Sequence, residues 1–399
     1  MYRYILFLLH YFKVIFQTSS IKKNIINFSN YNDKYCVSFN FWKDSLDLKN
    51  DKSRVTLVLH ATIDYIKYLE DQILIWGGPI SVAIIIPRPR EKECLKYKNK
   101  YCLINKRIDL SYYQILAYFD YIFDTKKISL HLFFEKSNFK NCPNILLKRI
   151  SKPKANLVKK YRKLVSMVKN LPIFFNVYPI NVARNIARLG KRTKLFLSSD
   201  IENYSSLNFE SKVSKLAKKV LLNEKQKLVL VHRRFEIKDN VPIPRTKKEL
   251  KKLYDQKKAF VFHSHFYIEA HYIPKLESWF KTKEKFNETE IGWITDYSHS
   301  AWEPQFVGDD RVPFHDERFP YRIRSNTHLA HIMCYQGFKF AIINDIFTVH
   351  KGIKIKLNQV ESKIVHSVKK EFRKLIDDFN NNLAAKYPHM KKRCKKLNL

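Results

Sequence analysis

Glycine is scarce in this chain, with 7 among 399 residues. Neither G-x-G-x-x-G nor G-x-x-x-x-G-K-[ST] occurs, so a glycine-rich phosphate cradle is excluded and any nucleotide must be held by another device. The six cysteines (Cys36, Cys94, Cys102, Cys142, Cys334, Cys394) contain no C-x-x-C spacing, which argues against a zinc ribbon or a thioredoxin-type site. Their even number fits disulfides in an oxidising lumen. Acid is also short: 37 Asp and Glu stand against 75 Lys and Arg, a net charge of +38. The one strongly apolar stretch near the start, "YILFLLHYFKVIF", is brief for a membrane span and is interrupted by His10 and Lys13.

What is present supports a folded protein. Hydrophobic residues make up 45% of the chain, and 29 Phe with 23 Tyr supply a large core. The positive charge makes nucleic acid, acidic glycans or an anionic membrane surface natural partners. The lysines, however, are spread along the whole chain and lack finger, homeodomain or RNP patterning. A solvated lysine surface is the simpler account, and a nucleic-acid binder has charge alone in its favour. Three N-x-[ST] sequons, at Asn27, Asn203 and Asn287, are compatible with the secretory route. Residues 1–19 read as an uncleaved signal-anchor, 20–53 as a polar stem or linker, and 54–399 as one large domain.

Periodicity gives that domain its class. "RVTLVLHAT" is a β-branched strand-like run. Ile63, Ile66, Leu69, Ile73 and Trp76 recur at helical spacing, Gly77-Gly78-Pro79 stops the helix, and "ISVAIIIP" is a second apolar strand. Strand, helix and strand in this order predict a βαβ unit, hence an α/β fold with a mostly parallel central sheet flanked by helices. "ISLHLFF" and "KLFL" read as further strands, and "FKFAIINDIFTVHKG" as two strands around Asn344-Asp345. "YPINVARNIARLG" predicts a helix that Gly190 ends, with Asn181 and Asn185, like Arg184 and Arg188, sharing faces. The tail "IVHSVKKEFRKLIDDFNNNLAAKYP" predicts an amphipathic helix.

In an open α/β sheet, ligands sit beyond the carboxyl ends of the strands. Asp200 and Glu202 follow the strand Leu195-Phe196-Leu197 at such an end. Two carboxylates on alternate residues can share a hard divalent cation, Mg2+ or Mn2+, able to hold a diphosphate. The bland reading of Asp200 is a helix cap or an acidic loop. Three other segments join it. "WEPQFVGDDRVPFHDERF" is an acid-rich loop, "FTVHKG" ends a strand at His350 beside Lys351, and "NVARN" brings cationic and amide groups upstream. The histidines of "FHSHFYIEAHY" (His263, His265, His271) lack a supporting cysteine or acid at zinc-ligand spacing and read as alternating strand residues.

Taken in order, T-L-V-x-H, W-G-G-P-I-S-V-A, Y-P-I-N-V-A-R-N-x-A-R, L-S-S-D-I-E, W-E-P-x-F-V, D-E-R-F, G-F-K-F, F-x-V-H-K-G and A-K-Y-P resemble the family 49 glycosyltransferases over most of the chain. The likeness is nearest their β-1,4-glucuronyltransferase branch and the second catalytic domain of the LARGE xylosyl/glucuronyltransferases. It implies a GT-A type nucleotide-sugar-binding fold that is Golgi-lumenal, single-pass and type II. It further implies an inverting transferase that uses a UDP-sugar and Mn2+ (or Mg2+) on a glycan acceptor. Glucuronic acid is the favoured sugar, with N-acetylglucosamine or xylose as alternatives. On this resemblance Asp200, Glu202 and His350 hold the metal. His60, Thr62, Asn181, Arg184 and Asn185 lie at the donor, and Arg318 and Lys351 neutralise its charge. Asp316 or Glu317 would take the acceptor's proton. Self-association, or association with other glycosyltransferases, is compatible with it. A non-catalytic glycan-binding or partner role is the alternative, because Glu202 stands where the family usually has Asp. The segment after D-E-R-F, Pro320 to Asn326, also departs from the family's Y-G-F-N.

Overall fold

The run V-T-L-V-L-H-A-T suits a sheet, since β-branched side chains pack well on a pleated surface. The computed structural model describes residues 25–46, 52–95, 101–104, 115, 125–137, 139–147, 157–169, 175–297 and 299–398. In it this run is the strand Val55–Thr62, buried at every position but the last.

The chain divides into two compact units. The larger comprises Phe39–Ile85, Lys126–Leu132 and Ile173–Leu399. Here Ile80–Ile85 pairs in parallel with Val55–Thr62 on one side, Leu57 opposite Ile80, and Leu195–Ser198 pairs in parallel on the other, Val55 opposite Leu195. A 3-10 turn, Ile63–Tyr68, and the helix Leu69–Ile75 make the first crossover, the expected strand–helix–strand unit.

Beyond Leu195–Ser198 the sheet becomes mixed, which corrects the mostly parallel expectation. Gln305–Asp309 runs antiparallel both to Leu195–Ser198 and to Leu228–Ile237. Leu228–Ile237 runs parallel to Lys339–Lys351, against which Asn203–Ser205 and Ile291–Thr295 lie antiparallel. Strand direction is invisible in hydropathy, because a strand buried on both faces reads the same in either sense. Lys339–Lys351 is also one strand of 13 residues and not two. A register shift against Leu228–Ile237 absorbs the polar Asn344-Asp345 pair, and pairing resumes beyond it.

The helix Ile180–Leu189 is buried from Ile180 to Arg188. Ser81 Oγ donates to the Ala187 carbonyl at 2.5 Å, fastening the helix to the sheet. Gly190 ends the helix, as expected, but in a right-handed conformation (φ −76°) open to any residue. Space explains it: a Cβ there would overlap the ring of His131. A core of Phe235, Ile237, Leu250, Trp279, Phe347 and Val349 closes the other flank. The long tail helix Gln359–Lys386 starts with a reciprocal cap between Asn358 and Glu361. It presents Phe372 and Phe379 to Phe319, and the Cys334–Cys394 disulfide ties the end of the chain to the helix Thr327–Tyr335.

The smaller unit comprises Met1–Ser38, Ile86–Thr125 and Phe133–Pro172. It carries a three-stranded sheet of Ile25–Ile26, Asn144–Leu147 and Tyr101–Ile104, the helix Leu157–Lys169, and the disulfides Cys36–Cys142 and Cys94–Cys102. No cysteine is left free. Within the span read as a stem, Tyr35–Trp42 forms a strand with Cys36, Val37 and Ser38 buried. Asn and Lys on either side mask that short pattern in the sequence. The anchor expected at 1–19 lies outside the described residues. Among those described, no helix is long and apolar enough to cross a membrane. Asn203 sits 4% exposed inside a strand, which closes that sequon to a glycan, whereas Asn27 and Asn287 are exposed.

Four histidines of the larger unit are almost inaccessible: His131, His232, His328 and His331. Burial pushes His131 and His232 down to about 3, and His328 and His331 to about 4. Their folded pKa values lie below the unfolded one, so their full contribution to stability exists above about pH 6.5 and is lost as pH falls. The unfolding free energy read from urea titrations should drop between pH 7.5 and pH 5, by roughly 1–2 kcal/mol per histidine at the lower pH. A free energy unchanged over that range would contradict these neutral buried rings.

Candidate active site

Strand register gathers the charged residues. Val58 is opposite Ser198 in parallel pairing, and the Ser199 N–H donates to the Val58 carbonyl at 3.0 Å. His60 and Asp200, each two residues further on, therefore leave the sheet side by side, with His60 Nε2 3.6 Å from Asp200 Oδ1. Tyr178 Oη lies 3.1 Å from His60 Nδ1 and fixes the ring from its other side. The short strand Gln305–Asp309 reaches only to Gln305, opposite His232. Past its end Arg234 reaches across, bringing Nη2 to 3.4 Å from Asp200 Oδ2. Arg184, from the buried helix, places Nη2 3.7 Å from Asp200 Oδ1.

A second pair stands beside this hub. Asn203 is opposite His350 in antiparallel pairing, and Glu202 Oε2 lies 4.0 Å from His350 Nε2. The two neighbouring carboxyls are driven apart electrically. For Asp200, burial pushes up, but the His60 contact and the Arg234 and Arg184 guanidiniums outweigh it and hold the carboxyl well below the usual range. Glu202 is raised, by burial and by the charge of Asp200, against the pull of Lys67, Tyr68 and Arg322. Burial lowers His60 and His350, which favours the neutral rings; His60 is turned to Asp200 and Tyr178, and His350 has a lone pair to offer.

Oxygen from Glu202 and imidazole nitrogen from His350 suit Mn2+ or Mg2+. The expected third ligand, Asp200, turns its oxygens to cationic groups, and among the described residues no three of His, Cys, Asp or Glu gather closely enough to hold a metal. Two protein donors still fit a cation of this kind, which commonly completes its shell with substrate phosphates and water.

The other expected residues are dispersed. Asn181 Nδ2 donates to the carbonyls of Asp316 (3.3 Å) and Phe319 (3.0 Å), and Asn185 Nδ2 to the His315 carbonyl and Glu317 Oε1, both at 2.9 Å. These asparagines hold a loop. Thr62 Oγ1 bonds Asp64 at 2.5 Å. Asp316 is gripped by Arg318 through Nε (2.9 Å) and Nη2 (2.6 Å). Burial pushes the Asp316 carboxyl up, yet the Arg318 bonds bring it below the ordinary range. Lys351 is exposed at the end of its strand. The zinc-like histidines lie on no strand: His263 precedes the short helix Ser264–Tyr267, and His271 follows a 3-10 turn.

The sequence profile of the family described as "Glycosyl-transferase for dystroglycan" matches residues 54–388. The chain belongs to this glycosyltransferase family. β-1,4-Glucuronyltransferase 1 of Danio rerio is 27% identical over 356 residues, 85% of this chain and 75% of that protein. The Homo sapiens protein of the same name is 24% identical over 371 residues, 89% and 81%. Xylosyl- and glucuronyltransferase LARGE1 of Mus musculus is 20% identical over 346 residues, 84% of this chain and 37% of that protein. Among solved structures, S. aureus TarS 1–349 aligns at a TM-score of 0.32 with 8% identity, over 74% of this chain and 60% of that one, too loose a likeness to argue from.

Two residues of this glycosyltransferase escape motif reading. Arg234 was legible as one of two arginines inside the apolar run L-V-L-V-H-R-R-F-E-I, where a buried strand has no other use for charge. Glu303 belongs to the W-E-P segment already singled out, but nothing in that segment shows which of its acids faces the sheet's carboxyl edge.

Asp200→Asn would leave Arg184 and Arg234 without a carboxylate between them. Asp200 is 42% exposed, so the loss, discounted for solvent screening, is about 1–2 kcal/mol at pH 7 in EDTA, read from the urea midpoint. Because its folded pKa lies below the unfolded one, the wild-type advantage is complete above about pH 4 and shrinks below it. Equal midpoints at pH 7 would refute the hub.

Proposed function

We propose that this chain moves a sugar, glucuronic acid in first place, from a UDP-sugar to a hydroxyl of a glycan acceptor, inverting the anomeric centre on a GT-A type site. The observation that carries this reading is the Glu202–His350 pair beside the Asp200 hub at the sheet's carboxyl edge. Glu202 and His350 would hold Mn2+ or Mg2+, with Asp200 adjoining. Such a cation supplies the charge that lets a site of carboxylates accept a diphosphate. Arg184 and Arg234 add fixed positive charge at the same edge, and His60 with Tyr178 forms a rigid wall next to it.

The glucuronyltransferase names of the relatives support the choice of sugar. The three disulfides support passage through an oxidising compartment, in keeping with a Golgi-lumenal, type II placement. The net charge of +38 favours an anionic donor and an acidic acceptor.

UDP release by the full chain, measured with a panel of UDP-sugars with and without Mn2+, tests the reading. Release should require metal and favour one donor, and Asp200→Ala and His350→Ala should each lower it by at least about 100-fold. Retained UDP binding with no release from any donor, even with glycan acceptors supplied, would point instead to a non-catalytic glycan-binding role.

A further inference from the structure

Glu303, the acid of the W-E-P segment, lies within the electrostatic reach of the Asp200 hub. The strand Gln305–Asp309 pairs with Leu228–Ile237 on one side, Gln305 opposite His232, and with Leu195–Ser198 on the other, Val307 opposite Leu197. Continuing the first register past Gln305 brings Glu303 toward Arg234, whose charge acts on its carboxyl together with those of Arg184 and Asp200. The backbone there is firmly held. Trp302 is 3% exposed against Tyr297 and Phe340, Pro304 is buried and keeps Glu303 extended, and the Glu303 N–H donates to the Ala270 carbonyl at 2.7 Å. Between these buried neighbours, Glu303 is half-buried, and its carboxyl meets neutral donors. Asn326 Nδ2 donates to Oε1 at 3.3 Å and Thr327 Oγ1 to Oε2 at 3.5 Å, at the start of the helix Thr327–Tyr335. Arg184 secures that start by donating to the Ser325 carbonyl at 3.0 Å.

The nearby carboxylates are otherwise engaged. Asp200 faces two guanidiniums and Asp316 is gripped by Arg318. Glu317 accepts from Asn185, Asp309 pairs with Arg311, and Glu202 stands against His350. Among the described residues Glu303 forms no ion pair, so its lone pairs are available to a hydroxyl. We infer that Glu303 is the general base of the transfer, an assignment that rests on the transferase reading above. It takes the acceptor hydroxyl's proton while the acceptor oxygen bonds to the anomeric carbon. The bond from that carbon to the UDP oxygen breaks, and its electron pair leaves with UDP. The charged and titratable groups facing Glu303 are Arg234, Arg184, Asp200, Tyr297 and His271. Burial raises its carboxyl against the pull of Arg234 and Arg184, the direction that makes a carboxylate a stronger base at neutral pH.

The test compares wild type, Glu303→Gln and Glu303→Asp for transfer to a glycan acceptor, for UDP binding in Mn2+ by calorimetry, and for log kcat against pH. Glu303→Gln should lose about 10^2–10^4-fold in kcat with UDP affinity and melting temperature unchanged. Glu303→Asp should keep part of the rate and move the acid limb of the profile. A Glu303→Gln enzyme within about threefold of wild-type kcat, or an acid limb that stays in place in Glu303→Asp, overturns the assignment. Absence of turnover in the wild type with every donor overturns instead the reading on which it rests.

Discussion

A helix buried on its polar side organises this protein. Asn181, Arg184, Asn185 and Arg188 are all nearly inaccessible, and between them they bond the carbonyls of Val312, Pro313, His315, Asp316, Phe319 and Ser325. Residues 312–325 lack regular structure, so most of their carbonyls must find partners elsewhere. The helix supplies them and leaves one guanidinium nitrogen for Asp200. Substituting any of the four residues would orphan a buried carbonyl as well as remove a side chain. Through this loop the same helix also sets the position of Asn326 and Thr327, and so of Glu303.

The electrostatics follow from that arrangement. Three acids share one edge of the sheet with opposite tendencies: Asp200 is held ionised by guanidiniums, while burial raises Glu202 and Glu303. Such divergence separates roles, since a carboxylate locked to cations is a poor proton acceptor and one among neutral donors is a good one. The buried arginines carry a cost of their own, as burial lowers Arg234 and brings Arg188 down to about 10. Arg188 recovers part of it by lying between the rings of Phe196 and Phe314.

Much of this was legible in the residues. The strands at Val55 and Ile80, the helices at Ile180 and Gln359, and the exit of Asp200 and Glu202 from a strand end all follow from period, β-branching and punctuation. The ordered motifs disclosed the family, which the match over 54–388 bears out. The family resemblance places the asparagines of N-V-A-R-N at the donor; in the structure their amides bond carbonyls of the same chain, a pairing that side-chain type alone does not reveal. Asp316 or Glu317 is the base expected from the sequence, and the structure joins Asp316 to Arg318, the neighbour in D-E-R-F able to form that salt bridge.

Local pattern therefore determined which segments are strands or helices and which residues are available for chemistry, since period and side-chain type are properties of the chain itself. Strand direction, the bulge that carries Lys339–Lys351 past Asn344-Asp345, and the pairing of six cysteines were decided only in the tertiary structure. So was the meeting of His60, Arg184, Asp200, Arg234 and Glu303, which come from five distant segments. Their proximity depends on long-range register, in which one residue's shift turns every side chain to the other face, and no short stretch of sequence encodes that choice.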